Sequence, residues 1–436
     1  MTREARGIPA LARVSLANLV IVAAVAVVYR HAPAGYWFED DFQWLVSRAA
    51  FRPSHLLHID LYDHFYRPVI ELYFWAGLQV FGRSPMPFHL ANVVLHAANA
   101  LLLFLLARSI SGGLRYGFVA ALSFAVMPAY VEAIGWVSAL AEPLSSFFGV
   151  PAIYCWIRFR RSERRIWHVA ATILFALSLL THESSMVFLA LLGLADLAFA
   201  AAWPAMQTVR GWGRLVGDYL PFVVVAAAYL AIDLTVNSRS YIVNDGLYVF
   251  GPHAIGNIFS YIASLYVGER GPVWYAATAV VIVMLLARGT PRVRFATAWL
   301  LLGILPFAFF TWDNISRYQY LPAIGLGLLL ADGIEGLDRL LQDRLEDRAR
   351  LVIVSLVAAA IVIRFMVFAS EAVETFAART ETWRALGARI RKDNPGVARG
   401  GEVTIDRALA QRHGFLYLEA LTRWELQDPT IRVTLR

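Results

Sequence analysis

The feature that most limits what this chain can become is a succession of apolar runs, each approaching the ~20 residues that carry a helix across a bilayer. They fall at 14–29, 88–107, 114–127, 141–157, 166–180, 185–202, 215–236, 273–287, 295–311, 321–337 and 351–369. In hydrocarbon the backbone must satisfy its own hydrogen bonds, so such runs become helices. Composition agrees: 59% of the 436 residues are hydrophobic and only 16% charged, where a soluble domain has roughly a quarter charged. The expected class is an all-α polytopic membrane protein with about eleven transmembrane helices. The one cysteine, Cys155, lies inside an apolar run, which excludes a disulfide framework or a cysteine metal site.

Arginine placement sets the orientation. With the N-terminus inside, the short inner loops carry nineteen arginines and the longer outer loops eight, as the positive-inside rule requires. The formal charge of +7 is thereby a property of cytoplasmic loops, and nucleic acid is not an expected partner. The first run follows Arg3, Arg6 and Arg13 without a small-residue cleavage site before Arg30, so it reads as an uncleaved anchor. Residues 69–81, interrupted by Glu71, read as an interfacial helix. Residues 254–267 read as a re-entrant or surface helix, because a crossing there would move Arg288, Arg292 and Arg294 outside. The expected domains are 1–370 in the membrane, with 30–87 as the first outer loop, and 371–436 as a small outer-face α/β segment with strand-like 403–405 and 431–435. No repeat of fixed period occurs within these residues.

Five polar groups from distant parts of the chain fall on the outer side: Glu39-Asp40-Asp41, Tyr66-Arg67-Pro68, Glu132 to Glu142, His182-Glu183, and Trp312 to Tyr318. Charge at membrane depth is costly and marks function by default, and five clusters on one face point to one site. Asp40 and Asp41 are the candidate catalytic acids. Arg67 and Arg317 are candidate phosphate ligands, because a guanidinium fork fits phosphate. Tyr66, Glu132, His182, Glu183 and Tyr318 complete the candidate substrate-binding set, and Tyr36, Trp37 and Trp44 are further stacking candidates. His89, Asn92 and His96 share one helix face and read as packing. His55, His58, Asp60 and His64 are a weak candidate metal group in the first outer loop.

Tyr66-Arg67-Pro68 and Phe88-His89-Leu90-Ala91-Asn92-Val93-Val94-Leu95-His96 resemble the YRP and FHLxNxxLH blocks of the transmembrane/tetratricopeptide-repeat O-mannosyltransferases and their bacterial relatives. Pro128 to Ser138 resembles the PxHVExxxWxS block, Thr181-His182-Glu183 stands where that family tends to have Ser-Lys-Glu, and Arg317 to Pro322 resembles RYxYLP. Two departures are His182 in place of the lysine and the lack of repeats within these residues. The resemblance spans about 37–334. It implies the GT-C glycosyltransferase architecture, a polyprenyl-phosphate-linked sugar as donor, catalytic acids in the first outer loop, and a protein, lipid or polysaccharide hydroxyl as acceptor. It leaves a divalent metal open as cofactor. It implies residence in a bacterial inner membrane, with the site on the periplasmic face.

The residues fit that chemistry independently. A carboxylate takes the proton of an attacking hydroxyl, and fixed cations meet the charge growing on a leaving phosphate. Two rival classes remain: a transporter or flippase of lipid-linked sugars, which places charges near the midplane on paired broken helices, and a non-catalytic membrane scaffold.

Overall fold

A computed structural model describes residues 9–49, 52, 54, 56, 65–199, 208–238, 240–266, 271–312 and 315–436. The chain opens with α1 (Ala10–Val28), a helix set by its unbroken apolar run. After a 3-10 turn at Ala32–Ala34 comes the acidic helix α2 (Asp40–Ala49). Then follow α3 (Pro68–Phe81) and α4 (Pro85–Ser111), each begun by a proline whose missing N–H is no loss in a first turn. α4 stops at Gly112, whose φ of 73° is the left-handed cap that glycine adopts without a Cβ penalty.

α5 (Leu114–Ala125) and the short α6 (Val131–Gly135) are bent by 43° around Pro128. α7 (Ala141–Ser162), α8 (Arg165–Leu179) and α9 (Val187–Phe199) follow, with the 3-10 turn Glu183–Met186 between the last two. The next elements are α10 (Val209–Asn237), α11 (Tyr241–Asn244), α12 (His253–Tyr266), α13 (Pro272–Arg288) and α14 (Pro291–Ile304). The 3-10 turn Ser316–Gln319 leads into α15 (Tyr320–Gln342). α14 and α15 approach closely because Gly325 has no side chain; a Cβ there would stand 2.6 Å from the Leu300 nitrogen.

Among the described residues, six helical segments are long and apolar enough to cross a membrane, or seven if the bent α5–α6 pair is one span. The chain is an integral membrane protein. α8 and α13 are apolar but shorter. The expected interfacial helix and surface helix correspond to α3 and α12.

α16 (Asp347–Asp393) runs 47 residues, about 70 Å at 1.5 Å per residue, against a hydrocarbon core of about 30 Å. It therefore extends well past its apolar part, and the expected boundary at 370/371 falls inside it. Beyond it, β1 (Glu402–Ile405) and β2 (Arg432–Leu435) pair in parallel, Val403 opposite Val433, with α17 (Arg407–His413) and α18 (Phe415–Glu425) between them. This end of the chain is not separately cored. Trp383, Leu418, Leu421 and Trp424 share one buried cluster with Trp37, Phe38, Phe42, Phe74 and Phe88. A second, larger cluster joins α1, α4, α5, α7, α9, α14 and α15.

Candidate active site

The acidic turn is held from both sides. Glu39 adopts φ 42°, unusual for a residue with a Cβ, and turns the chain so that Asp40 and Asp41 open α2. The Trp136 indole donates to the Phe38 carbonyl at 3.0 Å. Asp41 is wholly buried and accepts from Phe38 N at 2.8 Å, from Ser138 N at 2.7 Å and from the Ser138 hydroxyl. Burial pushes Asp41 up to about 7, partly offset by those donors. Its oxygens are committed to the fold, and it does not line the cavity that Asp40 borders.

That cavity has a volume of about 740 Å³. Its polar wall carries Asp40, Arg67, Ser138, Glu142, His182, Glu183, Ser184 and Arg317. All five polar groups expected on the outer side therefore contribute side chains there. Burial raises Asp40 above the ordinary carboxylate range, while Arg317, a hydrogen bond with Tyr417, and Arg67 hold it down.

Arg67 arrives at the start of α3, which is tied to the end of α8 by Val69 N donating to the Leu180 carbonyl at 3.2 Å. Its guanidinium grips Glu183 with two hydrogen bonds, 3.0 and 2.5 Å. Burial pushes Glu183 up, but Arg67 outweighs it and brings the carboxyl to about 2. His182 caps the same turn, its Nδ1 accepting from Ser184 N at 3.2 Å. Burial, with Arg67 beside it, lowers His182 to about 3 and keeps the ring neutral. The Ser184 hydroxyl lies 2.8 Å from His182 Nδ1 and 3.3 Å from Glu142 Oε1.

Arg317 is positioned differently. Ser316 donates to the Ala129 carbonyl at 2.8 Å, which pins the turn against the α5–α6 bend. The guanidinium then lies over the rings of Trp136, at 4.8 Å, and Tyr318, at 4.9 Å. Among the described residues it pairs with no carboxylate. Tyr318 is sandwiched between Phe307 and Phe310, with centroids at 4.3 and 5.6 Å, and Trp312 stacks on Phe310 at 4.3 Å. These rings form the apolar wall of the cavity together with Tyr248 and Phe250.

The remaining expected residues lie elsewhere. Tyr66 packs beside Tyr229 at 6.3 Å and does not line the cavity. Glu132 lies 3.8 Å from Arg379 of α16, also outside the lining. Trp44 lines the cavity, stacked on Phe74, whereas Trp37 is buried and the Tyr36 hydroxyl is given to Glu425. His96 and Asn92 join helices: His96 lies 2.9 Å from the Tyr320 hydroxyl and Asn92 donates to the Trp136 carbonyl at 3.2 Å. The candidate metal group of His55, His58, Asp60 and His64 is outside the described residues. Among the described residues no group of three His, Cys, Asp or Glu side chains is arranged to hold a metal ion. Sequence reasoning did not find Asp233, the wall from Ser240 to Phe250, or Phe307 and Phe310, which belong to stretches with no charged block.

The fold defined by these elements is similar to that of solved membrane transferases. ArnT from Cupriavidus metallidurans bound to undecaprenyl phosphate superposes with a TM-score of 0.57 at 14% identity, over 95% of this chain and 85% of that one. The Archaeoglobus fulgidus oligosaccharyltransferase tethered to an acceptor peptide gives 0.51 at 14% identity, over 87% of this chain and 57% of that one. In sequence the chain is similar to protein O-mannosyl-transferases. It is 35% identical over 135 residues to Tmtc1 of Drosophila melanogaster and 31% over 105 residues to TMTC2 of Mus musculus, covering 30% and 23% of this chain. The matched segments span only 15% and 13% of those two relatives. No family model matches the chain.

Proposed function

We propose that the chain is an inverting glycosyltransferase that moves a monosaccharide from a polyprenyl-phosphate donor to a hydroxyl acceptor. The acceptor is on a protein, lipid or polysaccharide. In this reading the chain crosses a bacterial inner membrane eleven times and works on the periplasmic face, with residues 371–436 on that same side. The observation that carries it is one cavity bordered by a carboxylate, Asp40, and by a guanidinium, Arg317, that pairs with no carboxylate among the described residues. A wall of stacked aromatic rings suits an isoprenoid chain. The fold likeness to a protein titled as bound to undecaprenyl phosphate supports the donor class.

The acceptor oxygen attacks the anomeric carbon as the bond from that carbon to the donor phosphate oxygen breaks. The acceptor proton passes to Asp40, and the electron pair of the broken bond leaves on the lipid phosphate. Asp40 is suited to this because burial raises its pKa, which strengthens it as a base, while Arg317 and Arg67 favour its charged form. Arg317 meets the growing phosphate charge from a site that needs no rearrangement. The Arg67–Glu183 pair and the Ser184–His182–Glu142 group form the rigid polar wall that orients the sugar. Asp41 and Ser138 hold the turn that presents Asp40, and Tyr318 fixes Arg317.

The full chain in lipid nanodiscs, given a radiolabelled polyprenyl-phosphate mannose and a panel of hydroxyl acceptors, tests this. Label should move to an acceptor and polyprenyl phosphate should be released, and Asp40→Asn should abolish both while Asp41→Asn lowers protein yield more than turnover. Movement of intact donor across the bilayer without bond cleavage would favour the flippase instead, and no reaction with any donor would favour the scaffold.

A further inference from the structure

His182 and Glu183 stand side by side on the turn between α8 and α9, and both line the cavity. Neighbours fix the His182 ring. Ser184 N donates to Nδ1 at 3.2 Å, the Ser184 hydroxyl lies 2.8 Å from the same atom, and Phe307 packs against the ring with centroids 6.5 Å apart. A backbone N–H can only donate, so Nδ1 carries the lone pair and the proton of the neutral imidazole is on Nε2. Among the described residues that Nε2–H has no hydrogen-bond partner, for Glu183 Oε1 is 3.8 Å away, beyond reach. Glu183 is the converse. Arg67 donates to Oε2 at 3.0 Å and to Oε1 at 2.5 Å, but a carboxylate has about four acceptor sites. Its side chain is still 31% exposed, so accepting capacity is left on the cavity side.

Resting on the reading of this cavity as a sugar-transfer site, we propose that His182 and Glu183 together read one hydroxyl of the donor's sugar. The Nε2–H donates to the hydroxyl oxygen, and the hydroxyl proton goes to Glu183 Oε1. An oxygen about 2.8–3.0 Å from each atom bridges the 3.8 Å between them. Only a group that both accepts and donates satisfies the pair. A phosphate oxygen accepts alone and would lie against the Glu183 carboxylate. An ammonium donates alone and would face the Nε2–H. The pair therefore selects an uncharged hydroxyl and leaves the donor phosphate to Arg317. Capping the turn does not by itself require histidine. Asparagine caps with the same kind of side-chain acceptor, whereas the imidazole adds a second, rigidly held donor on its other nitrogen. Burial, with Arg67 beside the ring, keeps His182 neutral, so this donor comes without a charge that would draw phosphate.

The experiment uses the two amides that mimic the two ring nitrogens. In His182→Asn the amide reaches about as far as Nδ1, so the cap survives and the Nε2 donor is lost. In His182→Gln the amide reaches about as far as Nε2. Binding of polyprenyl-phosphate mannose and of bare polyprenyl phosphate to the full chain in nanodiscs is read by native mass spectrometry, with no acceptor present. His182→Asn should weaken binding of the mannosyl lipid about tenfold and His182→Gln less than about threefold, on the scale of one hydrogen bond. Neither should change binding of bare polyprenyl phosphate. Among monodeoxy mannosyl lipids, one should bind the wild type about tenfold more weakly than the intact donor, yet bind His182→Asn as well as the intact donor does. Full affinity in His182→Asn, an equal loss for both lipids, or no deoxy compound coupled to His182 overturns the inference. A wild-type chain that binds neither lipid overturns it together with the donor class on which it rests. Binding is read without turnover, so a failure here is distinguishable from failure of the base assignment, which would show as transfer surviving in Asp40→Asn.

Discussion

Two clusters of arginine and carboxylate lie at opposite ends of α7, about 27 Å apart along its axis, and only one of them borders the cavity. At the far end, Arg160 pairs with Asp196 at 3.1 Å and with Asp218 at 3.0 Å. The Trp156 indole and the Tyr219 hydroxyl both donate to Asp196 at 3.0 Å, and His168 Nε2 lies 2.8 Å from the Asp218 carbonyl oxygen. Four helices, α7 to α10, are joined by groups whose hydrogen-bonding capacity is largely spent on one another. At the near end Asp40 and Arg317 line one cavity, and among the described residues Arg317 pairs with no carboxylate. Residue types are the same in both places. What separates a lock from a reaction chamber is whether geometry leaves charge unspent where a ligand fits.

The comparison breaks first if the two ends respond alike. Asp40→Asn is expected to cost about 10³-fold in kcat, within the range for loss of a general base, while Asp196→Asn leaves kcat of the folded protein within twofold. Steady-state transfer normalised to folded protein reads both. Arg317→Ala should lower kcat by about 10²-fold with no change in thermal stability. Arg160→Ala should do the opposite, destabilising by about 3 kcal/mol because Asp196 and Asp218 lose their shared cation, as read by thermal unfolding in detergent.

A pH profile sharpens the contrast. Asp40 works only when ionised, and its folded pKa lies above the usual carboxylate value, so transfer should fall tenfold per pH unit below a midpoint higher than about 4. Glu183 has a depressed folded pKa, so its stabilising share is present above the unfolded value of about 4.3 and is lost only as pH falls through about 2. Activity should therefore be lost at a pH where the Arg67–Glu183 pair still holds, and unfolding in step with activity would contradict this. The smallest effect is expected from Trp136→Phe, which removes one hydrogen bond to the Phe38 carbonyl and should cost about 1 kcal/mol, with a modest fall in kcat because the acidic turn loosens.

Much of this was readable from residues alone, and the reasons are specific. Apolar runs announce helices because hydrocarbon leaves the backbone no other choice, so α3, α12 and seven of the eleven expected spans, one of them the bent α5–α6 pair, were legible as helical segments. The polar blocks were legible because charge beside a membrane is costly. Asp40 and Asp41 are adjacent and chemically identical, and nothing in their order says that Ser138 and Phe38 claim the second one. Tyr66 was grouped with Arg67 by adjacency, but neighbouring residues at a helix start point in different directions, and only Arg67 faces the cavity. The length of α16 was missed because hydropathy ends at its membrane part. Its buried positions Val373, Phe376, Thr380, Trp383, Gly387 and Ile390 recur every three or four residues, a helical stripe that would have carried the helix across 370/371.

The most direct test of the whole account separates binding from chemistry at Asp40. Native mass spectrometry of the Asp40→Asn chain with polyprenyl-phosphate sugar, followed by a single-turnover assay on the same complex, should show donor bound as in the wild type and no sugar transferred. Transfer from that complex at the wild-type rate would contradict the account, because the base would then lie elsewhere.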